Sequence, residues 1–206
     1  MTTTRTRAVL VALTATAALA LTACGSGDDT TSGASATTSS SATAEGAHNA
    51  QDVSFAQGMI PHHQQALEMA ELAADRASSA QVKDLAARIE KAQDPEINTM
   101  TGWLKAWGED VPMAGMDHSG HAGMSGMSGM SGMMSDKDMT ALKKAQGTDF
   151  DTMFLTMMVQ HHQGAVEMAG TEKSKGDYAP ATSMADSIVT AQNAEIKEMN
   201  KLLGKG

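Results

Sequence analysis

From residue 49 onward, apolar positions recur with the three-to-four-residue period of helices, and no stretch alternates with the two-residue period of strands. Phe55, Met59, Ala66, Met69 and Ala70 share one face of a first predicted helix, while Gln64, Gln65, Glu68, Glu71 and Asp75 share the opposite face. A second pattern gathers Val82, Ile89, Met100, Leu104 and Trp107 on one side. Asn49 with Asp52, and Thr148 with Asp151, have the spacing of helix N-terminal caps. Turns are expected at Ser78-Ser79 and at Lys175-Gly176-Asp177, and Gly108 and Gly204 fall where helices close. Pro61 and Pro95 lie inside helical patterns and are expected to kink them. A short amphipathic helix, Asp136 to Gln146, carries Met139 and Leu142 as its apolar positions.

The pattern occurs twice. Phe55 to Ala70 aligns without gaps to Phe154 to Ala169, with nine of sixteen positions identical at an offset of 99. The same offset carries Ala92-Gln93, Glu96-Ile97, Met100 and Leu104 onto Ala191-Gln192, Glu195-Ile196, Met199 and Leu203. Each copy reads as two helices joined by a short turn, so the predicted fold is all-α, a four-helix bundle built from two repeated helical hairpins.

The flanks change the picture of where the bundle works. Arg5 and Arg7 precede an apolar run, Ala8 to Leu21, that is too short to span a bilayer and fits a secretory signal. Leu21-Thr22-Ala23-Cys24 resembles the lipobox of bacterial lipoproteins, and Cys24 is the single cysteine, which excludes an internal disulfide or a multi-cysteine zinc site. The expected organisation is a lipoprotein signal over 1–23, a Ser/Thr/Gly tether over 24–48, and a bundle domain over 49–206 with a Met/His-rich loop at 111–135. The mature chain is expected outside the cytoplasm, anchored to the cell membrane through lipid on Cys24. A formal charge of -9, made more negative by loss of the leader arginines, argues against nucleic acid as a partner.

Histidines interrupt the apolar stripe. His62 and His63 flank the core face with Met59 between them, and Met158, His161 and His162 repeat the arrangement. A histidine pair on a helix is more often a core or solvated residue than a ligand, and a methionine stripe usually fills gaps in packing. The repeated Met-x-x-His-His set, offering thioether and imidazole within one turn, shifts the balance towards metal. A di-iron bundle would carry Glu-x-x-His, whereas the position before the histidines is Met59 or Met158 and the literal Glu45 to His48 lies at the end of the tether. Thioether with imidazole favours copper, particularly Cu(I). The bundle candidates are Met59, His62, His63, Met69, Met158, His161, His162 and Met168, with Gln93, Glu96, Gln192 and Glu195 on the apolar faces as groups that orient the imidazoles. The loop offers Met113, Met116, His118, His121, Met124, Met127, Met130 and Met133, separated by Gly and Ser that let a chain wrap a soft ion.

"FAQGMIPHHQQALEMAELA", "FDTMFLTMMVQHHQGAVEMA" and the "AQ..EI..M" elements closely resemble the bacterial domain of unknown function 305 family over about residues 49 to 204. The resemblance implies a ferritin-like helical bundle, an exported location and, for some members, copper binding and tolerance, and it carries over the eight bundle positions named above. Gly58 and Gly164 stand where the family pattern has room for bulkier residues, which leaves local packing open. The function expected is sequestration, tolerance or delivery of Cu(I), with copper ions, the membrane and a copper-handling protein as partners and no catalysis of its own. The rivals are a ferritin-like metal-dependent oxidoreductase, for which the apolar faces supply only Glu96 and Glu195, and a structural helical domain with no metal role.

Overall fold

The computed structural model describes residues 46–112 and 130–205. The leader, Cys24, the tether up to residue 45, and the loop residues Met113, Met116, His118, His121, Met124 and Met127 lie outside the described residues. Those described form helices α1 (Ala50–Glu71), α2 (Ala73–Arg76), α3 (Ala80–Trp107), α4 (Asp136–Lys144), α5 (Gly147–Lys175) and α6 (Ala179–Leu202), with no strand among them. The first hairpin packs α1 against α3, the second packs α5 against α6, and α1 meets α5 between them.

Local chemistry sets these boundaries. Asn49 accepts from the amides of Gln51 and Asp52 while Asp52 accepts from Asn49 N, a reciprocal cap at the start of α1. Ser135 and Asp138 make the same box for α4, whose Met139 and Leu142 are buried. Gly108 terminates α3 in the left-handed conformation, with φ 75°, and Gly204 follows α6 with φ 71°. Pro61 and Pro95 sit within continuous helices. The expected cap at Thr148 is not formed: α5 begins at Gly147, whose φ of 62° turns the chain out of α4, so Thr148 lies in the first turn.

Asp151 has a different task, which reveals the symmetry of the bundle. Its carboxylate accepts from the amides of Ser78 and Ser79 and from the Ser78 hydroxyl, at 3.1, 3.0 and 2.5 Å, and so caps the start of α3 in the other hairpin. Asp52 likewise accepts from the amides of Asp177 and Tyr178, at 3.2 and 3.0 Å, and caps α6. Each hairpin thus places a carboxylate at the positive end of the other's second helix. Since the start of each central helix meets the end of the other, α1 and α5 run antiparallel.

Two apolar clusters result, and the offset of 99 interchanges them. One holds Met69, Leu85, Ile89, Phe154, Met158 and Met199. The other holds Phe55, Met59, Met100, Leu104, Ala169 and Ile188. Along α1, His62 and His63 separate Met59 of one cluster from Ala66 of the other, and along α5 His161 and His162 separate Met158 from Ala165. The histidines form a polar layer between two cores.

Candidate metal centre

The four imidazoles are essentially removed from water: His62, His63 and His162 are 0% exposed and His161 1%. The His62 and His161 rings meet across the α1–α5 contact with centroids 3.7 Å apart and planes tilted by 41°. His63 turns to α3 and places Nε2 2.8 Å from Glu96 Oε2, while His162 turns to α6 and places Nε2 2.7 Å from Glu195 Oε2. The two Met-x-x-His-His sets therefore share one central pair, His62 and His161, flanked by two imidazole–carboxylate pairs.

Hydrogen-bond partners fix where the lone pairs point. A carboxylate can only accept, so His63 and His162 each carry a proton on Nε2 and donate it there. His62 makes its one contact through Nε2, 3.3 Å from the Ser131 carbonyl, which assigns the same tautomer. Among the described residues no donor reaches Nδ1 of His62, His63 or His162, and neither ring nitrogen of His161 is paired, its approach to the His62 backbone falling short of hydrogen-bond geometry. Gln93 and Gln192, 3% and 4% exposed, also have unpaired side-chain oxygens. Each such buried orphan costs about 1–3 kcal/mol. Burial, and after it the neighbouring charge of His63, pushes His62 down to about 3. Burial and then the charges of His62, His162 and His63 hold His161 well below the usual imidazole range. Both are neutral at physiological pH, the form that binds metal.

The methionines divide. Met59, Met69 and Met158 are fully buried within the apolar clusters, where their thioethers fill core volume. Met168 is half-buried at the edge of its cluster. Met130 and Met133 are half-buried in the segment that re-enters the bundle. Gln65 clamps that segment, donating to the Met134 carbonyl at 3.0 Å and accepting from the Met134 amide at 2.7 Å. Among the described residues no three His, Cys, Asp or Glu side chains gather as a metal-binding group, so a site here needs thioethers to complete it. Glu96 and Glu195 are each held by their own histidine. His48 lies apart, stacked on Trp107 with centroids 4.3 Å apart.

Two features were not anticipated from the sequence. The Ser131 carbonyl reaches the His62 ring, and Glu172, fully buried, lies against Asp52 and Gly176 at the end of α5. The available signals were mismatches in the repeat: Gly58 and Gly164 stand opposite Met157 and Gln65, and Glu172 stands opposite Ala73.

No curated protein matches the chain. The fold is similar to that of a DUF305 protein from Streptomyces coelicolor, with TM-score 0.65 and 31% identity over 75% of this chain and 91% of that one. A DUF305 fragment from Deinococcus radiodurans has TM-score 0.65 and 30% identity over 77% and 98%. CopM in its Cu(II)-bound form has TM-score 0.61 and 37% identity over 73% and 94%, and in its Cu(I)-bound form TM-score 0.58 and 34% identity over the same shares. The family described as domain of unknown function DUF305 matches residues 52–203, so the chain belongs to the DUF305 family.

Proposed function

We propose that this chain is an exported, lipid-anchored copper-binding protein that takes up Cu(I) for sequestration, tolerance or delivery. The observation that carries the reading is the layer of buried imidazoles, each with a ring nitrogen that has no partner among the described residues. A core histidine kept only for packing would have its nitrogens satisfied, whereas these leave ring nitrogens unpaired among the described residues at the centre of the bundle. Imidazole and thioether together suit Cu(I) and its soft analogue Ag(I). CopM, similar over most of the bundle, is known in Cu(I)-, Cu(II)- and Ag-bound forms.

In this reading His62 and His161 are the principal ligands, His63 and His162 contribute through Nδ1, and Glu96 and Glu195 hold those two rings in the metal-binding tautomer. Met168 and Met130 supply the accessible thioethers. The remaining loop donors, Met113, Met116, His118, His121, Met124, Met127 and Met133, form a faster-exchanging collector, while Met59, Met69 and Met158 support the rings by packing. The leader over 1–23, lipidation of Cys24 and the tether over 24–48 put the bundle outside the cell membrane, where a copper-handling protein exchanges metal with it.

Anaerobic titration of the full chain with Cu(I), against a chromophoric Cu(I) chelator and with Zn(II) in parallel, tests the reading. It predicts that Cu(I) is withdrawn from the chelator and that equimolar Zn(II) does not displace it. Failure to compete for Cu(I) would remove the reading.

A further inference from the structure

The two halves of the bundle differ at one face. Where the second half carries Met157, the first has Gly58, and where the first carries Gln65, the second has Gly164. The returning segment Met130 to Met134 lies in the space that these glycines leave. A Cβ at Gly164 would overlap the Ser131 carbonyl, so backbone here rests on backbone. Gly132 adopts φ +82°, and a Cβ on it would come within 2.7 Å of the Gln160 carbonyl and 2.9 Å of the His161 carbonyl. The segment therefore packs directly against the carbonyls of α5 beside His161, with its Ser131 carbonyl on the His62 ring.

This seat brings two sulfurs together. The Sδ atoms of Met130 and Met168 lie 3.6 and 3.8 Å from the point where a Gly58 Cβ would stand. Gly58 precedes His62 by one helical turn and Met168 follows His161 by two, so on antiparallel helices both sulfurs stand at the same end of the imidazole pair. Both methionines are half-buried, and the imidazoles beyond them are sealed from water. On the opposite face the offset of 99 puts Met69 in the place of Met168, but Met69 is fully buried in the core, and Met157 occupies the place of Gly58.

Resting on the copper-binding reading above, we infer that Met130 and Met168 form a one-sided thioether port, seated by Gly58 and Gly164, through which Cu(I) reaches the His62–His161 pair. The two sulfurs take a soft monovalent ion from solution without deprotonation, and the imidazoles, one turn deeper, hold it. Ser131 lies at the junction. Its carbonyl fixes the His62 proton on Nε2, so the Nδ1 lone pair is ready before the ion arrives. Among the described residues the other face offers no such pair of half-buried sulfurs, so metal enters a nearly symmetric site from one side.

Stopped-flow loading of the full chain from a chromophoric Cu(I)–chelator complex tests the inference. Met130→Leu and Met168→Leu remove a sulfur each at similar volume. Gly164→Ala displaces the segment, and Met130 with it, while deleting no candidate ligand atom. Loading at least tenfold slower in all three, with the final amount of bound Cu(I) unchanged in Gly164→Ala, is the expected result. Wild-type rates in the two leucine variants would overturn the port while leaving copper binding intact. A wild-type chain that takes up no Cu(I) would instead overturn the reading on which the port rests.

Discussion

His62 and His161 hold the same position in the two halves of the chain, and their rings meet at 3.7 Å, so the pseudo-two-fold axis of the bundle passes between them. The histidine–carboxylate pairs and the exchanged caps follow from that axis. His63 meets Glu96 as His162 meets Glu195, and Asp52 caps α6 as Asp151 caps α3. A duplicated hairpin places identical side chains on its axis at their closest approach. One histidine per repeat thereby becomes a buried pair without any further substitution.

The carboxylates behind the outer histidines are expected to tune metal binding rather than folding. Glu96→Gln replaces a pure acceptor with an amide that can also donate, so the His63 tautomer is no longer fixed. Cu(I) affinity by chelator competition should fall roughly 10–100-fold, and Glu195→Gln should match it because the two pairs are related by the axis. The thermal midpoint should change little, since both carboxylates are partly exposed, at 24% and 15%.

The exchanged caps tie the hairpins together. Asp151→Asn weakens three charge-assisted hydrogen bonds at the start of α3 and should cost about 1–3 kcal/mol in urea unfolding. Asp52→Asn should cost less at neutral pH and above. It removes equivalent caps but also the negative charge that lies against Glu172.

Glu172 gives the fold a pH dependence of definite sign. Burial raises its carboxyl, and the hydrogen bond with Asp52 and the charge of Asp52 raise it further, to about 8, against a smaller pull from Gln51. Among the described residues no donor stands in hydrogen-bond geometry to either Glu172 oxygen, an arrangement that a proton on Glu172 shared with Asp52 satisfies. For Asp52, burial acts upward, but the bonds from Glu172 and from the amides of Asn49, Tyr178 and Asp177 outweigh it and hold the carboxyl below its usual value.

Between the ordinary glutamate value of 4.5 and about 8, folded Glu172 keeps a proton that the unfolded chain has lost, so its contribution to stability falls as pH rises through that window. From about pH 7.5 to 8.5 His62 and His161 are neutral in the folded state and almost wholly neutral in the unfolded state, which leaves Glu172 as the main contributor among the resolved shifts. Urea midpoints over that range should decline in the wild type and stay level in Glu172→Gln. An equal decline in both would assign the slope to other groups.

The helices and their pairing were legible because burial follows a helical period and because the repeat doubles every signal. Ser78-Ser79, Gly176, Gly108 and Gly204 mark their turns and ends through local chemistry alone. The cap at Thr148 was misread because Asp151 serves a helix 73 residues away from it in the chain, and local spacing carries no trace of such a partner. The histidines were visible as intruders in an apolar stripe, yet only the crossing of α1 and α5 shows which ring meets which. The thioethers were the least legible, since periodicity places Met59, Met69, Met158 and Met168 alike. Core packing then closes over the first three and leaves Met168 at an edge opened by Gly58.

The central claim is that the buried imidazole pair holds Cu(I), and it is tested most directly by Cu(I) competition on full-chain His62→Ala/His161→Ala beside the wild type, with helical circular dichroism recorded on both. The account predicts that the double variant keeps its helical signal and loses the tightest Cu(I) equivalent, its apparent affinity falling by at least a hundredfold. Unchanged Cu(I) stoichiometry and affinity, with only a lowered melting temperature, would contradict it and make the histidines structural.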